Sequence, residues 1–526
     1  MDAVKEAAAA VEILADPGAG KRTVPLEAVP PPDSLPETPS ALDSAVAALS
    51  RRDEWEPACD LVGAELLRAC SGDGTGLYEA FWAAERLCEE FRSASARLLP
   101  ALTAVLTWHG TGPVHPWVSR LPGNAADLLG RLGETGTADL IADLAGGPSP
   151  ENADHALTAL IRLGDGRSAS LLAADLPERP RALRAAVEHG LPFDPGLLSS
   201  IRERLREWTP ATEGEPSQSP HAELPLLELL RAWGTDAHEA VPELCAALPV
   251  RTSPVAVTLS AVARSTPEHP QAEAALRRLV SDGDAKERLD AARALWRLTD
   301  DAGPVLAELH EAFTTGDKAL RCGAAETCRE LREAARPLLP VLLPLLTRNK
   351  PRRIPWQIDV AVAVWHLTGE AGHVLPTLAS ALSVPATATK AIRAARMLGP
   401  AARPLAERVA RHLYDLYELP ATIRALLRIC PNGGPNGGPN GGLPPGCSPS
   451  SLLALLLFHA REARDPGPAF DVIAELGARN LTEAHLECLR AYATAEHRAP
   501  RKHSAPDIAA DESLRAAART LLDALP

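Results

Sequence analysis

Asp284-Ala-Lys-Glu-Arg-Leu-Asp-Ala-Ala-Arg-Ala-Leu-Trp-Arg-Leu298 is followed by a short turn, a second apolar stretch, and then the same design again. Leu298, Leu331, Leu367 and Leu398 mark the copies, at intervals of 33, 36 and 31 residues, a period typical of stacked helical hairpins. Seven residues before the marker stand Ala291, Ala324, Val360 and Ala391. Six before stand Ala292, Ala325, Ala361 and Ile392, and three before stand Leu295, Cys328, Val364 and Ala395. On a 3.6-residue helix these positions fall on one side, so each copy predicts a helix with a buried stripe. The many alanines in the stripe let neighbouring helices approach closely.

After each marker comes a turn carrying an acid, Asp301, Glu333 or Glu370 in the first three copies. Six residues past the marker stand Pro304, Pro337 and Pro404, with His373 in that slot of the third copy. Proline suits the first turn of a helix, where its missing N–H has no partner to lose. The apolar pairs Val305-Leu306, Leu338-Leu339 and Val374-Leu375 then open a second helix. Each unit reads as helix, tight turn, helix.

Arg396-Met-Leu-Gly-Pro-Ala-Ala-Arg-Pro-Leu405, Arg162-Leu-Gly-Asp-Gly-Arg-Ser-Ala-Ser-Leu171 and Arg131-Leu-Gly-Glu-Thr-Gly-Thr-Ala-Asp-Leu140 resemble HEAT-like repeats. The nearest pattern is the short bacterial form of the phycobilisome-lyase type. The resemblance spans most of the chain and implies an all-α fold, an α-α superhelix of roughly ten helical hairpins (~10 Å each). It implies little about function.

The composition agrees with a helical stack: 46% hydrophobic but only 4% aromatic, in 526 residues. Arginine greatly outnumbers lysine, which with abundant Ala and Pro points to a bacterial, GC-rich source. A net charge of −14 disfavours nucleic acid and anionic membrane as partners, since both need a positive field. There is no apolar stretch of membrane-spanning length and no signal-peptide pattern at Met1–Ala15. Nine cysteines scattered along helical faces fit free thiols in a cytoplasmic protein better than a disulfide framework.

Residues 1–40 read as a short helix followed by a Pro-rich linker, and 41–430 as the solenoid. Helices are expected over Ala41–Ala69 and Tyr78–Phe91, with an irregular connection from Gly110 to Asn124. Within 431–447, Pro-Asn-Gly-Gly occurs three times in tandem, a segment expected to be a flexible loop because Asn-Gly and Gly-Gly favour positive-φ turns. Residues 448–526 return to repeats and a terminal cap, with Ser448 or Ser450 capping the first helix there.

Four constellations carry residue types suited to chemistry. Gly18-Ala-Gly-Lys21 lacks the flanking Gly and Ser/Thr of a phosphate loop, with Ala15 and Arg22 in those places. His366, Glu370 and His373 offer metal-type donors but straddle a helix end and lack a further ligand. His238-Glu239 and His310-Glu311 resemble the pairs of the di-iron HEAT enzyme deoxyhypusine hydroxylase, yet they occupy non-equivalent repeat positions. Cys430 and Cys447 flank the Gly-rich loop and read as ordinary thiols.

No cofactor, metal or catalytic group is assigned. The expected function is a non-catalytic, protein- or peptide-binding scaffold using the concave face. A lyase-like or metal-dependent enzyme and a nucleic-acid binder are the alternatives. The candidate partner-binding residues are the basic run Arg348, Lys350, Arg352 and Arg353, then His373, and the column Trp296, Arg329, Trp365 and Arg396 two residues before the marker. That column predicts guanidinium groups stacked on indoles of neighbouring units. Arg393 and Arg396 are where the basic run would continue if it formed a strip.

Overall fold

The computed structural model describes residues 42, 46, 54–72, 74–108, 118–208, 220–347, 356–413, 418–431, 442–462, 467–476, 481–498 and 508–524. The architecture is an all-α solenoid of helical hairpins; among the described residues there is no named strand. The chain divides into two compact units. One holds Ser40–Cys88 and Ser93–Ala324; the other holds Glu89–Arg92 and Ala325–Pro526.

In the N-terminal unit the first helices of successive hairpins stack in order: Leu121–Leu132, Pro150–Leu163, Pro180–Glu188, Pro220–Trp233, Thr252–Val262 and Ala285–Thr299. The second helices Ser168–Ala174, Pro195–Arg206, Val241–Ala247 and His269–Asp282 form the parallel layer. In the C-terminal unit the first helices are Trp356–Thr368, Pro385–Leu398, Leu419–Ile429, Gly467–Leu476 and Ile508–Asp523, again each on the next.

The stripe read from the sequence is the core. All four of its positions are buried in all four copies, from Ala291 to Leu398. At ~1.5–3 kcal/mol for each fully buried large aliphatic side chain, this repeated stripe is what holds one hairpin on the next. Helix starts follow local chemistry. Asp284 Oδ1 accepts from the Glu287 amide at 2.9 Å while Glu287 Oε2 accepts from the Asp284 amide at 2.9 Å, a reciprocal cap. Ser448, not Ser450, caps the Pro449–Glu462 helix, its Oγ accepting from the Ser451 amide at 3.1 Å. The turn after the marker needs a left-handed residue, supplied by Gly133 at φ 74° and Gly164 at φ 70°.

Within the expected helical region Ala41–Ala69, Leu42 and Val46 are helical, and a helix runs Trp55–Ser71. One expectation shifts. The Gly110–Asn124 connection ends early, because the Leu121–Leu132 helix already begins there with Pro122 in its first turn. The N-terminal linker and most of the Pro-Asn-Gly-Gly segment lie outside the described residues.

Candidate functional site

The C-terminal unit carries an open groove of about 1140 Å³ along the C-terminal ends of three consecutive first helices. Pro385–Leu398 contributes Arg393, Arg396, Met397 and Leu398; its turn adds Gly399 and Pro400. Leu419–Ile429 contributes Leu427 and Arg428, followed by Pro431, and Gly467–Leu476 contributes Glu475 and Leu476. The positions arise from the repeat itself. Residues just before the marker stand on the flank of the buried stripe, so the same columns of adjacent units share one rim.

Three arginines face this groove and one carboxylate does. Arg393 Nη2 donates to Glu418 Oε1 at 3.1 Å, and Glu475 Oε1 lies 2.9 Å from Arg424 Nε. Arg396 and Arg428 are exposed and meet no side-chain partner among the described residues. Both lie in the last turn of their helices, where the carbonyl ends favour a cation. Between them Met397 is 45% exposed, one of few large apolar side chains so open to solvent.

Of the candidate partner-binding residues only Arg396 joins this groove, together with Arg393, named beside it as a continuation of the basic run. Arg348, Lys350, Arg352 and Arg353 lie outside the described residues. Trp296 and Trp365 are half-buried on their own helices. Arg329 turns to a carboxylate, with Nη1 3.5 Å from Asp359 Oδ1; among the described residues of this unit no guanidinium stacks on the Trp365 indole. His373 is exposed, its Nε2 3.1 Å from Glu370 Oε2 in a local i,i+3 pair. Burial, with Arg332 and Arg329 nearby, holds the His366 imidazole below its ordinary value. His238 Nδ1 lies 3.0 Å from the Thr235 carbonyl. Cys430 and Cys447 are buried free thiols, each pushed up by burial. Among the described residues no group of three His, Cys, Asp or Glu side chains is placed to hold a metal.

Sequence reasoning missed Met397, Leu427 and Arg428. For Met397 and Arg428 the signal was the column one residue before the marker, where they stand 31 apart; Leu427 stands one column earlier, with Arg396.

No family model matches the chain, and no curated protein matches it. Among solved structures it is similar to a chain from a study of the cadherin–beta-catenin interaction, at 11% identity over 91% of this chain and 96% of that one, with a TM-score of 0.32. Importin beta gives 13% identity over 91% of this chain and 68% of that one, TM-score 0.32. An engineered protein gives 18% identity over 80% and 97%, TM-score 0.24. At such scores the superpositions carry no argument, and the solenoid architecture rests on the chain's own helix pairing. Among the described residues no helix is long and apolar enough to cross a membrane.

Proposed function

We propose that the chain is a non-catalytic scaffold that docks a protein partner, and that the groove ending at Arg396, Met397 and Arg428 is where it docks. The observation that supports this is the pairing of an exposed apolar side chain with two cations that have no side-chain partner among the described residues. Water-exposed apolar surface rimmed by polar groups is the usual signature of a docking site. A solenoid offers such a surface on rigid elements, which suits a scaffold. Nine cysteines present as free thiols support a cytoplasmic setting.

The test is a photoreactive phenylalanine at Met397, with the same group at Leu61, 42% exposed in the N-terminal unit, as control. The expected result is a discrete crosslink from Met397 alone to a protein which, once purified, binds the wild-type chain saturably and the Met397→Glu variant weakly. Crosslinks shared equally by both positions, or a captured protein that does not bind when purified, would overturn the reading.

A further inference from the structure

At several places a carboxylate meets a cation between adjacent hairpins, and the groove holds a position where the acid of such a pair is replaced. Asp127 receives Arg131 Nε from its own helix at 3.2 Å, and Arg162 from the next first helix. Arg131 also meets Glu85. Glu243 gathers Arg202 and Arg206 at 3.2 and 2.5 Å, and Arg288 meets Glu308 at 3.1 Å. In the C-terminal unit Asp359 takes Lys390 and Arg329, and Arg424 takes Glu475. At these positions a cation on the flank of a stacked helix is met by a carboxylate from the same or the next hairpin.

Arg428 has no such partner among the described residues, as is also true of exposed arginines outside the groove such as Arg278 and Arg519; what sets its place apart is the repeat column. Arg428 occupies the column of Arg162, one residue before the marker, and Asp127 stands 35 residues before Arg162. The residue 35 before Arg428 is Arg393, a cation where the earlier repeat has its acid. Arg393 draws on Glu418, whereas Arg428 and its groove neighbour Arg396 have no carboxylate among the described residues. The chain carries 68 acids against 54 bases, so unmatched arginines here do not follow from a shortage of acids.

We infer that this groove takes an acidic peptide segment of a partner protein, whose carboxylates supply the missing acid between Arg393 and Arg428 while an apolar side chain covers Met397. This rests on the docking reading above and gives it a ligand class. Arginine presents a planar fork that pairs a carboxylate with two donors, so each match adds geometry as well as charge. The apolar floor of Met397, Leu427 and Leu476 fits a peptide side chain and offers nothing to a phosphate backbone. A chain at −14 also repels an extended nucleic acid outside the groove.

The probe is a short fluorescein-labelled peptide of alternating Glu and Leu, titrated with the full chain. A Gln/Leu peptide and a single-stranded oligonucleotide of similar length are the comparisons. The Glu/Leu peptide is expected to bind saturably, to weaken as salt rises from about 0.05 to about 0.5 M, and to lose about tenfold or more in affinity with Arg396→Glu and Arg428→Glu together. The charge-matched control, Arg278→Glu with Arg519→Glu at exposed sites outside the groove lining, is expected to change little. All four substitutions are at exposed side chains, and unchanged melting temperatures verify the fold. Equal binding of the Gln/Leu peptide, tighter binding of the oligonucleotide, or no loss on reversal would overturn the acidic-ligand inference. If a purified partner still crosslinks at Met397 in that case, docking stands and only its ligand class falls; if it does not, both fall.

Discussion

Thr482 and His485 close the start of the Glu483–Thr494 helix with an imidazole where glutamate usually stands. The Thr482 amide donates to His485 Nδ1 at 3.1 Å, so the ring must be neutral to accept. Burial holds this histidine below its ordinary value of 6.5, as burial also does for His459, and for His155 with Arg181 beside it. Between the lowered folded value and 6.5 the unfolded chain binds more protons, so stability rises with pH through that window and falls as pH drops below 6.5. The urea midpoint should therefore be lower at about pH 5 than at about pH 7, and His485→Gln, which keeps an acceptor without a titration, should reduce the difference. A pH-independent midpoint in the wild type would contradict this account. A second residue-scale case is Asp359, whose carboxyl burial pushes up in spite of Lys390 and Arg329. Its side chain is 2% exposed, but those of its partners are 35% and 40% exposed and can turn to water when it is removed. Asp359→Ala should thus cost about 1–2 kcal/mol by chemical denaturation, less than the ~3–5 kcal/mol expected when stranded charges stay buried.

At the scale of the helix, the first helices Leu121–Leu132 and Pro150–Leu163 touch almost backbone to backbone. A methyl added at Gly130 would lie 2.7 Å from Ala159 Cβ and 2.8 Å from its Cα, and one at Gly123 would lie 2.7 Å from Asn152 Oδ1 and 2.9 Å from Asn152 Cα. The two glycines are seven residues apart, as are their partners, so one seam of close contact runs along the pair. In an ordinary helix interior Gly→Ala gains roughly 0.5–1 kcal/mol. Here the neighbour is backbone and cannot yield, so Gly130→Ala should destabilise by about 1–3 kcal/mol in urea; a gain would mean the helices can separate freely. This scale is also where the sequence was most legible. Ala, Leu and Val recur at helical spacing because burial demands it, and the stripe from Ala291 to Leu398 is buried throughout. Proline was a poorer guide, since Pro122 opens a helix while Pro337 and Pro404 lie in the turns before one. The groove was hardly legible. Arg396 stood out beside tryptophans and as a possible end of the basic run, and its significance depends also on Arg428, which shares its rim through stacking and not through sequence proximity. A column shows which residues recur; it does not show which of them lack a carboxylate across the gap.

For the molecule as a whole, the sequence order hides one association. Glu89–Arg92 belongs to the same compact unit as the C-terminal helices. The Arg92 amide donates to the Glu496 carbonyl at 3.0 Å and the Arg498 amide to the Glu90 carbonyl at 2.8 Å, with Phe91 against His497 at 4.5 Å between ring centroids. Asp511 anchors this crossing: Arg92 Nε and Nη2 reach its two oxygens at 2.9 and 3.0 Å, and Arg498 Nη1 reaches Oδ2 at 3.0 Å. All three side chains are within 5% of full burial. Unlike Lys390 and Arg329, these arginines cannot turn to water without opening the site. Glu512 reaches Arg498 but its position leaves Arg92 dependent on Asp511 and the Ala495 carbonyl. Asp511→Ala should therefore cost about 3–5 kcal/mol, and Asp511→Asn, which keeps the shape but not the charge, should cost much of that. Because a stacked-repeat protein opens in local units, the loss should be spatially confined. Hydrogen exchange should rise over 484–498, 508–524 and 89–92, and remain unchanged over 150–206. Uniform acceleration along the chain would show that the crossing is coupled to every repeat, and no acceleration at 89–92 would show that it does not hold that segment at all.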